Sequence, residues 1–379
     1  RKSERNKAER IVPEMRMRQM ETDCSGPRKE KSRVLQLDEA CPDQELLREA
    51  GAYVKGGGLA AFPTETVYGL GGNALDPEAA KKIYAAKGRP SDNPLIIHIA
   101  SAEDIFPLVT EFPESARKLT EKFWPGPLTI ILPKSDLVPY ETTGGLDTVA
   151  VRFPDNRIAQ GLIRFSGGYV AAPSANRSGR PSPTCAEHVR EDLEDKIGMI
   201  LDGGPVRIGL ESTIVDFSED IPVILRPGYI GMDMLKEVLG EVRTDPGILK
   251  TGKDAPRPKA PGMRYRHYAP RGELTILEGE QEDVRREIRR LVREHAEAGE
   301  TAGIICCNES REAYPQGEVH CIGSRDDENE IARNLYGILR AFDASGVGHI
   351  YSESFFTPGM GQAIMNRLIK AAGGRIIRC

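Results

Sequence analysis

Two short runs, one helix apart, hold the residues best suited to chemistry. Lys87-Gly88-Arg89-Pro90-Ser91-Asp92-Asn93-Pro94 fixes two cations between a helix end and a proline turn. It follows Phe62-Pro63-Thr64-Glu65-Thr66-Val67-Tyr68-Gly69-Leu70. A forked guanidinium beside a compact ammonium suits a polyanion such as a triphosphate. A solvated helix C-terminus would also favour both residues through the helix dipole. The next run, Leu95-Ile96-Ile97-His98-Ile99, reads as a buried strand interrupted by His98, which sets the cations at a sheet edge near a polar group.

Further polar groups sit on predicted strands. In Thr148-Val149-Ala150-Val151-Arg152 the period of two puts Thr148 and Arg152 on one side and the valines on the other. An arginine on such a strand needs an anionic partner, either a substrate carboxylate or an internal acid. The run Ala171-Ala172-Pro173-Ser174-Ala175-Asn176-Arg177-Ser178-Gly179-Arg180-Pro181-Ser182 follows a strand, and its small residues let backbone N–H groups approach a phosphate. The same composition also describes an ordinary surface loop. Glu211-Ser212-Thr213-Ile214-Val215 begins with polar groups, and Ile224-Leu225-Arg226-Pro227-Gly228 ends with a cation. Glu211 suits a metal ligand or a strand cap equally well. No P-loop, no H-E-x-x-H, no G-x-S-x-G and no kinase signature occurs, so a nucleotide site must be built another way.

The elements that must position these groups fall into two patterns. Residues 34–243 mix short strands with helices, which predicts an α/β catalytic domain with a twisted mixed sheet. Its helices include 43–54, 77–87 (capped by Asp76), 113–123, 156–165 and 233–239. Residues 273–379 alternate strand and helix regularly, which predicts a small parallel-sheet, Rossmann-like domain. It lacks G-x-G-x-x-G, so a docking, gating or ligand-sensing role is expected there rather than a dinucleotide site. Between them, 244–272 is rich in Pro and Gly. Its Pro261-Gly262-Met263-Arg264-Tyr265-Arg266-His267-Tyr268-Ala269-Pro270 carries too many cations and aromatics for a plain spacer, so a docked, functional linker is expected. Residues 1–33 are charged and poor in apolar residues, and a flexible tail is expected. Position 1 is Arg, leaving Met15, Met17, Met20 or a point upstream as the start.

With 379 residues, 39% hydrophobic and 29% charged, the chain can bury sizeable cores. A net charge of −5 speaks against a generic nucleic-acid coat. No apolar run approaches the ~20 residues that span a bilayer, and no secretory pattern opens the sequence. Seven cysteines without a C-x-x-C fit a reducing, cytoplasmic setting and offer no zinc site.

Taken together, residues 62–70 and 87–98, Ser174-Ala175-Asn176, Ser212-Thr213-Ile214 and Leu225-Arg226-Pro227-Gly228 resemble the YrdC-like family of threonylcarbamoyl-AMP synthases. The run 261–270 is similar to the linker of the family's two-domain form. The resemblance runs from about residue 35 to the end, and it rests on the order and spacing of motifs that are weak singly. It implies a twisted sheet around a concave basic cavity. It also implies conversion of L-threonine, bicarbonate and ATP, with Mg²⁺, to threonylcarbamoyl-adenylate and pyrophosphate. A separate transferase would pass the threonylcarbamoyl group to the tRNA adenosine beside the anticodon.

Carried across by resemblance, Lys87, Arg89, Asn93, Thr148, Ser174, Ser182 and Arg226 hold ATP, and His267 or Tyr268 closes over it with Arg264 and Arg266 nearby. Thr66, His98, Arg152, Ala172 and Ser212 form the L-threonine pocket. No side chain stands out as a general acid or base, and no protein metal ligand is assigned. Two alternatives remain: a non-catalytic double-stranded RNA-binding module that contacts RNA phosphates, and a related carbamoyl-adenylate transferase.

Overall fold

The computed structural model describes residues 31–248, 258–261 and 267–379. Among them, eleven strands make a first sheet. They are β1 (Arg33–Gln36), β2 (Ala60–Phe62), β3 (Gly69–Asn73), β4 (Ile96–His98), β5 (Leu128–Pro133) and β6 (Thr148–Arg152). The rest are β7 (Val170–Ala172), β8 (Met199–Asp202), β9 (Thr213–Asp216), β10 (Val223–Arg226) and β11 (Arg243–Thr244). The order is β1-β8-β2-β3-β7-β4-β6-β5-β9-β10-β11, with parallel and antiparallel pairs intermixed.

A second sheet contains β12 (Glu273–Glu278), β13 (Ala302–Cys306), β14 (Glu318–Cys321), β15 (His349–Glu353) and β16 (Ile376–Arg378). All its pairs are parallel, in the order β14-β13-β15-β12-β16. Seven helices accompany the first sheet: α1 (Gln44–Lys55), α2 (Pro77–Lys87), α3 (Glu114–Phe123), α4 (Tyr140–Thr143), α5 (Arg157–Phe165), α6 (Ala186–Leu193) and α7 (Met232–Leu239). Three accompany the second: α8 (Gln281–Glu297), α9 (Glu328–Ser345) and α10 (Gly361–Ala371). Both sheets belong to one unit running from Lys31 to Cys379. Mixed and parallel sheets are thus present as the sequence patterns predict.

Local chemistry explains how α2 delivers its cations. Asp76 caps it by accepting from the Glu78 N–H, and Pro77 occupies the first turn. Gly88 ends it at φ 62°, the left-handed conformation that a glycine adopts without cost. The chain therefore turns sharply between Lys87 and Arg89, sending the two cations different ways.

β3 escaped the pattern because glycine at 69, 71 and 72 masks any alternation. The packing explains the composition. A Cβ at Gly71 would lie 2.8 Å from Val170 Cγ1 and 2.9 Å from Phe62 Cε1. Gly71→Ala should therefore destabilise the fold by roughly 1–3 kcal/mol through overpacking. A chemical-denaturation midpoint equal to that of the parent would contradict this contact.

The expected tail ends too late. Ser32 is buried, its hydroxyl donating to the carbonyls of Glu194 and Ile197 at 2.7 and 2.8 Å, and Arg33 opens β1. A four-residue edge strand carries too little periodicity to show in sequence. The remaining tail positions, 1–30, lie outside the described residues, as do Arg264 and Arg266. The described parts of 244–272 are docked: Ile248 is buried and its carbonyl accepts from Asn366 Nδ2 of α10 at 2.9 Å. The Ala269 N–H donates to the Gly179 carbonyl at 2.9 Å. Among the described residues no helix is long and apolar enough to cross a membrane.

Candidate active site

Register builds the floor of the site. His98 on β4 pairs with Arg152 on β6, which pairs with Thr129 on β5. A row of three polar side chains therefore crosses otherwise apolar strands. Thr129 Oγ1 lies 2.7 Å from Ser212 Oγ, and Ser212 Oγ accepts from Arg226 Nη2 at 3.1 Å. Polar groups of β4, β5, β6 and β10, with Ser212 just before β9, are so brought side by side.

Above this floor lies a hollow of about 600 Å³, including its open mouth. Arg89, His98, Arg152, Ala172, Ser174, Ser182, Arg226, His267 and Tyr268 line it, joined by Thr64, Asn176, Arg180 and Glu211. Nine of the residues singled out in the sequence are thus brought together. Thr66, Lys87, Asn93, Thr148 and Ser212 stand outside the lining. Thr66 Oγ1 lies 2.9 Å from Thr64 Oγ1, which itself faces the hollow. Asn93 holds Arg89: its Oδ1 accepts from Arg89 Nη2 at 2.7 Å and its carbonyl from Nε at 3.2 Å. The Lys87 ammonium donates to the carbonyls of Ser174 and Asn176, so it shapes the serine-rich loop from behind. Burial, and then the Arg89 charge, push its pKa well below the ordinary lysine value.

Two acids back this arrangement: Glu65, which sequence reasoning passed over and which stands outside the lining, and Glu211, which lines the hollow and which the sequence left open between metal ligand and strand cap. Glu65 is the internal acid that faces Arg152, with Oε2 and Nη2 2.8 Å apart and both side chains buried. The contact is close but misaligned. Neither Glu65 oxygen, nor Arg152 Nε or Nη2, completes a hydrogen bond within the protein. Arg152 thus keeps donor capacity beside the hollow, which is what a carboxylate ligand requires. The demand that Arg152 have an anionic partner was the signal available in sequence, but nothing local tied it to Glu65. Glu211 is the second. Its Oε1 accepts from Ser182 Oγ at 2.5 Å, and its Oε2 accepts from Tyr336 and from Arg367 Nε at 2.9 and 3.0 Å. Burial alone would raise its pKa, but Arg367 and then Arg226 outweigh that and hold it below the ordinary carboxylate value. Glu211 is therefore a fully engaged counter-ion rather than an open metal ligand or a strand cap.

The linker's described end forms the roof. His267 is half-buried, with its Nε2 enclosed and without a partner within the protein. Tyr268 has φ 65°, a left-handed conformation that an aromatic residue rarely adopts. Its ring stacks on Tyr336 with centroids 5.3 Å apart.

Poorly solvated imidazoles, two at the hollow and His188 outside its lining, give the fold a pH signature. Burial, and then Arg152, push His98 down to about 3; burial, and then Arg340, push His188 down to about 4. Burial, and then Arg89, push His267 down to about 3. Each is neutral in the fold but takes a proton in the unfolded chain below about pH 6.5. Their contribution to stability is complete above that pH and is lost as pH falls toward 3–4. His98→Gln should remove its share, at most about 1.4 kcal/mol per pH unit. Unfolding free energies at pH 7, 6 and 5 that fall in parallel for the parent and the variant would contradict this.

Outside the hollow, ligand atoms of His295, Glu300 and His349 lie within 4.8 Å of one another. His295 already uses both ring nitrogens, with Glu300 and with the Tyr351 hydroxyl at 2.9 Å each, and His349 stacks on its ring with centroids 4.3 Å apart.

A mixed α/β sheet whose strand ends converge on a cation-lined hollow, roofed by a docked linker, defines the YrdC-like class of small-molecule-binding folds. A family model described as "Telomere recombination", covering Sua5, YciO and YrdC proteins, matches residues 52–228. A second, described as "Threonylcarbamoyl-AMP synthase, C-terminal domain", matches residues 230–373. The chain is 52% identical over 332 residues to the threonylcarbamoyl-AMP synthase of Pyrococcus abyssi, covering 88% of this chain and 95% of that protein. It is 47% identical over 342 residues to the threonylcarbamoyl-AMP synthase of Bacillus subtilis, covering 90% and 97%. The crystal structure of P. abyssi Sua5 complexed with L-threonine superposes with a TM-score of 0.87 at 49% identity, covering 92% of this chain and 100% of that one. The chain belongs to the threonylcarbamoyl-AMP synthase family, in its two-part Sua5 form.

Proposed function

We propose that the hollow joins L-threonine, bicarbonate and ATP into threonylcarbamoyl-adenylate and pyrophosphate, the activated group that a downstream transferase passes to tRNA. The observation that carries this reading is the convergence of Arg152 and His98 with Arg89 and Arg226 in one hollow. The L-threonine bound in the P. abyssi structure supports it.

Threonine's ammonium gives up a proton, and the amine nitrogen bonds to the carbon of bicarbonate with loss of water, giving a carbamate. A carbamate oxygen then bonds to the α-phosphorus, and the bond to the bridging oxygen breaks as pyrophosphate leaves with the electron pair. In this reading Arg152 holds the threonine carboxylate, while neutral His98, Ala172 and the Thr64–Thr66 hydroxyls shape its pocket. Arg89, fixed by Asn93, and Arg226, fixed by Ser212, neutralise phosphate charge, with Ser174, Ser182, His267 and Tyr268 against the nucleotide. Lys87 serves by holding the loop that carries Ser174, and Thr148 lies at the far end of β6 from Arg152. Catalysis is then mainly positioning and charge stabilisation.

Mg²⁺ finds no open carboxylate among the described residues of the hollow, because Glu211 is engaged by Ser182, Tyr336 and Arg367. A metal ion would arrive on the phosphates rather than in a protein cage.

The test is the product. Supplying ATP and ¹³C-bicarbonate with either L-threonine or carbamoyl phosphate should yield a labelled threonylcarbamoyl-adenylate with threonine alone. Label entering an adenylate only with carbamoyl phosphate would favour the carbamoyl-transferase alternative instead.

A further inference from the structure

The second sheet's helices reach the wall of the hollow. Glu211 lines the hollow, yet two of its partners come from α9 and α10. Tyr336 of α9 donates to both Glu211 oxygens, at 3.1 and 2.9 Å, and Arg367 of α10 donates to Oε2 at 3.0 Å. Arg367 is wholly buried, and its Nη1 donates to the Pro227 carbonyl at 2.6 Å, directly after Arg226.

The contact is not confined to one residue. Tyr336, Arg340 and Asp343 stand four and three residues apart on α9 and share one helix face. Arg340 Nη2 donates to the Pro181 carbonyl at 2.6 Å and to Asp192 Oδ2 at 2.8 Å. Arg180 Nη2 donates to Asp343 Oδ2 at 3.1 Å. Arg180, Pro181 and Ser182 are consecutive, and each is tied to α9, the last through Glu211. A stripe of this kind exceeds what docking two lobes demands, because an apolar face would serve as well or better.

We propose that α9 and α10 are working parts of the catalytic hollow: Tyr336 and Arg367 are positioning residues that fix the Glu211 carboxylate and, through it, the Ser182 hydroxyl. The Ser182 proton is committed to Glu211, so its lone pairs turn toward the ligand, and Ser182 presents an acceptor. Loss of a clamp donor frees the carboxylate to rotate and the serine to reorient. This rests on the function proposed above, and it assigns the second sheet a catalytic task.

The test is a double-mutant cycle on kcat/KM for ATP in threonine- and bicarbonate-dependent pyrophosphate release. Tyr336→Phe removes one hydroxyl and keeps the ring that stacks on Tyr268. It should lower kcat/KM about tenfold, the scale of one hydrogen bond to a charged group, without shifting the thermal midpoint by more than a few degrees. Ser182→Ala and the Ser182→Ala/Tyr336→Phe pair should be equally impaired, since both act through Glu211. Unchanged kcat/KM in Tyr336→Phe, or losses that multiply in the pair, would overturn the inference. Should Tyr336→Phe not fold, Arg367→Lys, which keeps the charge and loses the fork, enters the same cycle with the same criterion. An inactive parent enzyme would instead defeat the functional reading, so the two failures are distinguishable.

Discussion

Arg89→Ala is expected to lower adenylate formation at least ~100-fold. Arg89 lines the hollow with its guanidinium held by Asn93 Oδ1 and the carbonyls of Asn93 and Pro94, at 2.7, 3.2 and 3.0 Å. Its orientation is thus set before any ligand arrives, and preorganised charge is worth most in a water-poor site. Removing one well-placed donor to a developing phosphate charge costs about 10²–10³ in rate. Steady-state pyrophosphate release measures it, and near-parent turnover would exclude Arg89 from the phosphates. Asn93→Ala should follow in the same direction with a smaller effect, since it loosens Arg89 without removing the charge.

Arg152→Ala is expected to raise the threonine KM about 100-fold and the ATP KM far less. A carboxylate bound by a buried guanidinium loses a charge-assisted contact of several kcal/mol when the guanidinium goes. Glu65 faces Arg152 at 2.8 Å with both side chains buried, so the single substitution strands a buried carboxylate. The pair Glu65→Gln/Arg152→Gln replaces two charges with two neutral amides and should recover stability but not threonine affinity. Substrate-varied initial rates separate the constants. A larger rise in the ATP KM would move Arg152 to the nucleotide.

How legible was this site in the sequence? His98, Arg152 and Arg226 could be found because each breaks an apolar strand, and burying a polar group without purpose is costly. Arg89 could be found because a helix stop and a proline turn pin it. The acids that partner these cations could not be placed. Glu65 lies between two threonines, and Arg152 is far along the chain, so only the fold brings them together. Glu211 looked ambiguous because its partners, Tyr336 and Arg367, sit in a region whose pattern spoke only of alternating strands and helices. Lys87 illustrates the reverse limit. Its type and spacing matched a phosphate ligand, yet Gly88 turns the chain so that its ammonium meets two carbonyls of the serine-rich loop. For the fold, long amphipathic helices and apolar strands announced themselves. The glycine-rich β3, the edge strands β1, β14 and β16, and the short α6 did not, because tertiary packing rather than periodicity defines them.

The most direct measurement is pyrophosphate release from ATP in a four-way omission series with threonine and bicarbonate. The account predicts release that requires both together and is accompanied by a threonylcarbamoyl-adenylate of the expected mass. Release that proceeds equally without threonine, or none with all three substrates present, would contradict it.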